Sequence, residues 1–118
     1  MINLVEFDST WGHRNDVAGY ARGLSAFDAW LARALPLLRK EDLLLITADH
    51  GCDPSTPSTD HSREDVPILA VGACVRAGVD LGVRESLADV GATVLDYFGL
   101  EREETAGESL LPALRKGR

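Results

Sequence analysis

Each of the three histidines of this chain sits with an aspartate close by in sequence. Asp8 and His13 lie in Asp8-Ser9-Thr10-Trp11-Gly12-His13, Asp49 and His50 in Thr47-Ala48-Asp49-His50-Gly51, and His61 in Thr59-Asp60-His61-Ser62-Arg63. Imidazole nitrogens and carboxylate oxygens without thiolate form a donor set that suits manganese, zinc or iron, with magnesium less partial to imidazole. A single histidine at a strand end is more often a hydrogen-bonded structural residue than a ligand. Three together, each with a nearby carboxylate, point to a divalent-metal site. Asp49 and His50 are the strongest element of the pattern. Adjacent residues of an extended strand point to opposite faces, so both can serve metal chemistry only where the chain leaves the sheet. Gly51 lets the backbone turn away there without a side-chain clash.

Such a site needs strands that deliver its ligands. Residues 2–7 are expected to form a buried strand ending at Asp8, and residues 43–48 a second, unalternating apolar strand of the kind covered on both faces. Between them a helix should start at an Asp16 N-cap. It carries Val17, Tyr20, Ala21, Leu24, Phe27, Leu31, Leu35 and Leu38 as one stripe facing the sheet, and Pro36 should kink or end it. Strand, helix and strand imply a right-handed parallel crossover. Ligands gather beyond the carboxyl ends of parallel strands, so the two aspartate-bearing tips can converge. Gly51 to Asp65 reads as a long, functional loop. Residues 67–72 read as a third strand opening on Pro67, and Ser86 as the cap of a helix bearing Leu87, Val90, Thr93, Val94, Tyr97 and Phe98, closed by Gly99.

With 118 residues, 45% hydrophobic and 26% charged, the chain is expected to form one domain over 1–118. A net charge of −7 argues against a nucleic-acid partner. No apolar run approaches a membrane span, and neither a signal peptide nor a disulfide framework is indicated. A cytoplasmic protein with no membrane partner is the expectation. Cys52 and Cys74 should be reduced, with Cys74 a buried small hydrophobe. Asp53 and Asp60 suit turn hydrogen bonds. Arg14 and Arg63 suit either phosphate or the clustered carboxylates. Tyr20, Phe27 and Trp30 suit core packing, and Trp11 could shield the site from solvent.

The strings Phe7-Asp8-Ser9-Thr10-Trp11-Gly12-His13-Arg14-Asn15-Asp16, Thr47-Ala48-Asp49-His50-Gly51-Cys52-Asp53-Pro54 and Thr59-Asp60-His61-Ser62-Arg63-Glu64 resemble the C-terminal core of bacterial phosphopentomutases, members of the alkaline-phosphatase superfamily. The likeness continues through Leu87–Val94 and Gly107–Leu111. It implies an α/β fold: a three-layer sandwich with a mostly parallel sheet, incomplete here because the N-terminal core segment and the cap domain of the family are absent. It also implies interconversion of ribose or deoxyribose 1-phosphate and 5-phosphate through a phosphorylated threonine and two Mn²⁺ ions. By the same resemblance Asp8, His13 and His61 match the ligands of one ion, and Asp49 and His50 two ligands of the other. The family's nucleophilic threonine has no counterpart, so this chain alone is expected to bind one Mn²⁺ or none and to be inactive. It would take a sugar phosphate only when completed by an N-terminal segment, and self-association or a partner chain is expected. The other readings are a non-catalytic metal-binding or interaction module, or another superfamily phosphotransferase such as a cofactor-independent phosphoglycerate mutase or a phosphodiesterase.

Overall fold

The computed structural model describes residues 1–101 and 106–115. It is an α/β chain in the order α1 (Val17–Ala34), β1 (Leu43–Thr47), β2 (Ile68–Gly72), α2 (Ala88–Tyr97) and α3 (Leu111–Leu114). The backbone groups into two compact units, Met1–Leu38 with Ile46–Leu69 and Arg39–Leu45 with Ala70–Arg118. Among the described residues no helix is long and apolar enough to cross a membrane.

The strand expected at residues 2–7 does not form. The segment runs irregularly to Leu4, and Phe7–Trp11 coils into one wide helical turn. A strand satisfies its backbone only through neighbours. The sheet of the described residues contains β1 and β2 alone, so this segment closes bonds locally instead. Ser9 donates both its N–H and its hydroxyl to the Val5 carbonyl, each at 2.9 Å. Ile2, Leu4 and Val5 are left exposed.

The parallel crossover is therefore not made, and β1 pairs with β2 in antiparallel fashion. Gly72, at the end of β2, lies over Asp42 and Leu43 at the start of β1, where a Cβ would come within 2.6 Å of the Asp42 carbonyl oxygen. Nor is β1 covered on both faces, since Leu43–Ile46 are half-buried and Thr47 is exposed. β2 exposes Leu69 and Val71 in alternation with half-buried Ile68, Ala70 and Gly72.

In the first unit, α1 opens as expected: the Asp16 carboxylate accepts from the Gly19 N–H at 2.8 Å. It also ends as expected. The α-helix stops at Ala34, and Leu35–Leu37, with Pro36 inside, tighten into a 3-10 turn. The buried face differs from the leucine stripe. Gly19 and Gly23 are buried beneath the Trp11 indole, while Leu24 and Trp30 remain exposed. Two glycines one turn apart admit a flat ring to van der Waals contact with the helix backbone, an approach any Cβ would block.

In the second unit, Ser86 Oγ accepts from the Ala88 N–H at 3.1 Å at the start of α2. Gly99, at φ +67°, closes the helix through Gly99 N–H to Asp96 O (3.1 Å) and Leu100 N–H to Leu95 O (2.9 Å), the paired bonds of a Schellman cap. The core of this unit holds Val75, Ala92, Leu110, Leu111 and Leu114 around buried Asp89 and Thr93. Thr93 Oγ1 donates to Asp89 O at 2.6 Å and accepts from Leu110 N–H at 2.9 Å, tying α2 to α3. Cys74 is half-exposed rather than buried, the interior position falling to Val75.

Candidate metal centre

All five sequence-selected residues lie in the first unit. The Phe7–Trp11 turn sets Asp8 facing inward, and the 3-10 turn Gly12–Arg14 carries His13 back over it. Gly12 makes this possible, because a Cβ there would stand 2.5 Å from Cys52 Sγ and 2.9 Å from Phe7 O. His50 follows β1, and His61 arrives on the long loop, which is braced by an antiparallel bridge between Gly51 and Ser62. Gly51 is needed for close approach rather than for turning. A Cβ on it would meet the Ser62 and Glu64 carbonyl oxygens at 2.6 Å.

Three imidazoles converge on one carboxylate oxygen. Asp8 Oδ1 lies 3.2 Å from His61 Nε2, 3.3 Å from His13 Nε2 and 3.8 Å from His50 Nε2. The His50 and His61 rings stack, with centroids 3.6 Å apart and planes at 16°. Ligand atoms of Asp8, His50 and His61 all fall within 4.8 Å of one another. Donors about 2.1 Å from a shared ion stand roughly 3.0–3.4 Å from their neighbours, so the two shorter separations match edges of a coordination shell.

The protonation pattern leads the same way. His13 Nδ1 donates to Thr59 O at 2.5 Å, and His50 Nδ1 donates to Gly51 O at 3.1 Å. In a neutral ring the Nε2 atoms of both then carry lone pairs, directed at a carboxylate oxygen that is itself only an acceptor. Asp8 Oδ1 is buried with no hydrogen-bond partner. Acceptors gathered around an acceptor are stabilised by a cation, and Nδ1–H bonds to backbone carbonyls are the usual way a ligating imidazole is held. The other buried side-chain atoms without partners among the described residues, Asn15 Oδ1 and Ser62 Oγ, belong to the residues that flank this cluster in sequence. The donor set and the orphaned oxygen fit a divalent metal ion.

Asp49 stands apart from this group. Its side chain is 83% exposed, and it reaches only His50 Nε2, at 3.8 Å. That is the same distance as His50 Nε2 keeps from Asp8 Oδ1, so His50 sits between the two carboxylates. The other candidates fall outside the cluster. Asp53 forms a turn, accepting from Ser55 N–H at 2.9 Å and Ser55 Oγ at 2.6 Å; these bonds hold its carboxyl below the ordinary carboxylate value. For Asp60 it is the backbone N–H that is held, by Ser58 Oγ at 3.0 Å. Arg14 and Arg63 are exposed, and neither forms an ion pair among the described residues. Trp11 packs on α1 and edge-on against Phe7, with centroids 5.2 Å apart.

Two residues of the neighbourhood carried no chemical role in the sequence reading. Burial, reinforced by the charges of Asp8 and Asp53, pushes the Cys52 thiol up, keeping it protonated beside the oxygen and nitrogen donors. Asn15 has left-handed backbone at φ 51° and donates from Nδ2 to Thr56 O at 3.0 Å. Its place two residues after His13 was the available signal, since asparagine is among the few residues that tolerate this conformation.

The chain is similar to known proteins over nearly all of its length. The chain is 51% identical over 115 residues to the phosphopentomutase of Lachnoclostridium phytofermentans, covering 98% of this chain and 29% of that protein. It is 53% identical over 114 residues to that of Carboxydothermus hydrogenoformans (97% and 29%) and 57% identical over 109 residues to that of Shewanella oneidensis (92% and 26%). The chain thus spans less than a third of the length of these relatives. Residues 1–102, which include every donor of the cluster, match the metalloenzyme superfamily, and the chain belongs to that superfamily.

Proposed function

We propose that this chain is the metal-binding portion of a phosphopentomutase-type phosphotransferase, in which Asp8, His13 and His61 hold one divalent ion and Asp49 and His50 supply two ligands of a second. The observation that carries the reading is Asp8 Oδ1, buried without a partner and faced by three imidazole nitrogens. His50, 3.8 Å from both Asp8 and Asp49, is the residue through which the two ligand sets adjoin. The ion we favour is Mn²⁺, and the reaction served is phosphoryl transfer between the 1- and 5-positions of ribose or deoxyribose. The relatives named above, all phosphopentomutases, favour this over a phosphoglycerate mutase or a phosphodiesterase.

Divalent ions at such a site would draw charge from phosphoryl oxygens during displacement. The residues of this chain contribute the cage and its orientation. Thr59 O and Gly51 O fix the rings of His13 and His50. Of the threonines near the site, Thr47, Thr56 and Thr59, none is a counterpart of the family's nucleophile. Thr56 Oγ1 is engaged with Asp53 O at 3.0 Å, and neither Thr47 nor Thr59 matches the family's nucleophile position. In the complete fold we expect this segment to lie within a three-layer sandwich whose mostly parallel sheet gives residues 2–7 strand neighbours.

Calorimetric titration of Mn²⁺ into the parent chain and into His61→Ala tests the cage. Binding by the parent and at least tenfold weaker binding by the variant are expected, and equal affinities would refute the ligand assignment. A coupled assay with ribose 1-phosphate should show no turnover by these 118 residues alone. Clear turnover would overturn the view that the nucleophile lies elsewhere.

A further inference from the structure

We infer that Asn15 is a positioning residue for the metal cage: it clamps the turn carrying His13 to the loop carrying His61, and so sets the distance between the two rings. The inference rests on the metal-centre reading above. Three features of Asn15 occur together. Its backbone is left-handed, at φ 51° and ψ 32°, the only positive φ outside glycine among the described residues. Its Nδ2 donates to Thr56 O at 3.0 Å, across 41 residues of sequence. Its Oδ1 is buried with no partner. A non-glycine residue in this region and an orphaned buried acceptor both oppose folding, and such combinations persist where the surroundings require a particular geometry.

What the geometry secures is a two-point attachment. His13 Nδ1 to Thr59 O and Asn15 Nδ2 to Thr56 O join the same short turn to the same loop, three residues apart on the loop and two on the turn. One bond would leave the loop free to pivot about it. Two bonds at separate points remove that pivot, and the loop runs from Thr59 directly into His61, whose Nε2 comes to 3.2 Å from Asp8 Oδ1. The left-handed backbone is what allows both donors to face one way. After the His13 turn, the Asn15 N–H closes onto Gly12 O at 3.0 Å and the chain reverses into Asp16, the cap of α1. The amide orientation is settled by its partner, because the opposite flip would set two carbonyl oxygens against each other.

Glycine and aspartate separate the clamp from the backbone requirement. Asn15→Gly keeps the left-handed conformation at no steric cost and removes the amide. Asn15→Asp keeps the shape and tolerates the conformation, but presents a carboxylate to the Thr56 carbonyl. Mn²⁺ titration by calorimetry on the full 118-residue chain, with metal-free thermal melting in parallel, is the test. Both variants should bind Mn²⁺ at least tenfold more weakly than the parent, the loss typical when a residue orienting a ligand is removed. A merely structural role would lower the metal-free melting temperature while leaving the affinity of the folded chain unchanged. Parent-like affinity in Asn15→Gly would therefore overturn the clamp. Should that variant fail to fold, parent-like affinity in Asn15→Asp would overturn it equally. Absence of binding by the parent would instead sink the metal-centre reading itself.

Discussion

Replacing Asp8 by asparagine should move stability in opposite directions with and without metal. In the metal-free chain Asp8 Oδ1 is a buried acceptor facing the Nε2 atoms of His61, His13 and His50 at 3.2, 3.3 and 3.8 Å, with no hydrogen bond of its own. An unsatisfied buried acceptor costs about 1–3 kcal/mol. The Asp8 side chain as a whole is 37% exposed, which places the cost near the lower bound of about 1 kcal/mol. Asp8→Asn puts an amide N–H opposite a ring lone pair and removes one acceptor from the cluster. At pH 8 the metal-free variant should be about 1 kcal/mol more stable than the parent, a rise of roughly 4 °C in melting temperature for a chain of this size. Mn²⁺ reverses the order. At a concentration a hundredfold above its dissociation constant, a ligand that binds only the folded state adds about 2.7 kcal/mol, roughly 10 °C. The parent should gain this, and the variant, lacking the one anionic donor of the cluster, should gain less than a third of it. Differential scanning calorimetry across a Mn²⁺ series therefore gives two melting curves that cross. A variant less stable than the parent without metal would mean that Oδ1 is already held by proton donors. An equal gain with Mn²⁺ would mean that Asp8 is not a ligand.

The second unit provides a test independent of metal. Asp89 is buried, accepting from Glu108 N–H at 2.9 Å and from Arg84 Nε at 2.7 Å, and these bonds, the amide first, hold its carboxyl below the ordinary 3.8. Asp89→Ala should destabilise by about 2 kcal/mol in urea titration, the worth of a hydrogen bond to a charged group, and a loss under 0.5 kcal/mol would contradict the role given to it. Because the folded form holds its proton less tightly than the unfolded chain, the stabilisation is full above about pH 4 and disappears as pH falls through the folded value. The gap between parent and variant should therefore narrow only at acid pH. Gly23→Ala would drive a methyl into the Trp11 indole. A loss of about 1–3 kcal/mol is expected from overpacking, with a change in Trp11 fluorescence; an unchanged melt would show that the ring is not seated on the helix.

Donor chemistry was written in the sequence more plainly than topology, and the reason is physical. A ligand set depends on residue type and on a few local turns: Asp8 to His13 through Gly12, His50 through Gly51, His61 through a loop tied back at Ser62. Each of those turns is fixed by short-range sterics that the glycines announce. Helix ends behave alike, which is why Asp16, Pro36, Ser86 and Gly99 mark boundaries that the structure keeps. A strand is different. Residues 2–7 have the composition of a buried strand, yet strand structure belongs to a pair rather than to a segment, and with no strand beside it among the described residues the Val5 and Phe7 carbonyls are taken up by a local turn instead. The leucine stripe of α1 failed for a related reason. Periodicity shows which face is apolar, not what will cover it, and a glycine face that admits an indole was invisible to a count of large side chains. Asn15 lay beyond such counting as well, since its role combines a backbone angle with a bond across 41 residues. The partition of ligands between ions shows the same limit from the other side. Resemblance assigns His50 to the set of Asp49, whereas distance places it equally near Asp8. A residue poised between two carboxylates is where occupancy of one site should be felt at the other, and Mn²⁺ binding by His50→Ala, measured beside Asp49→Ala, would weigh those two attachments against each other.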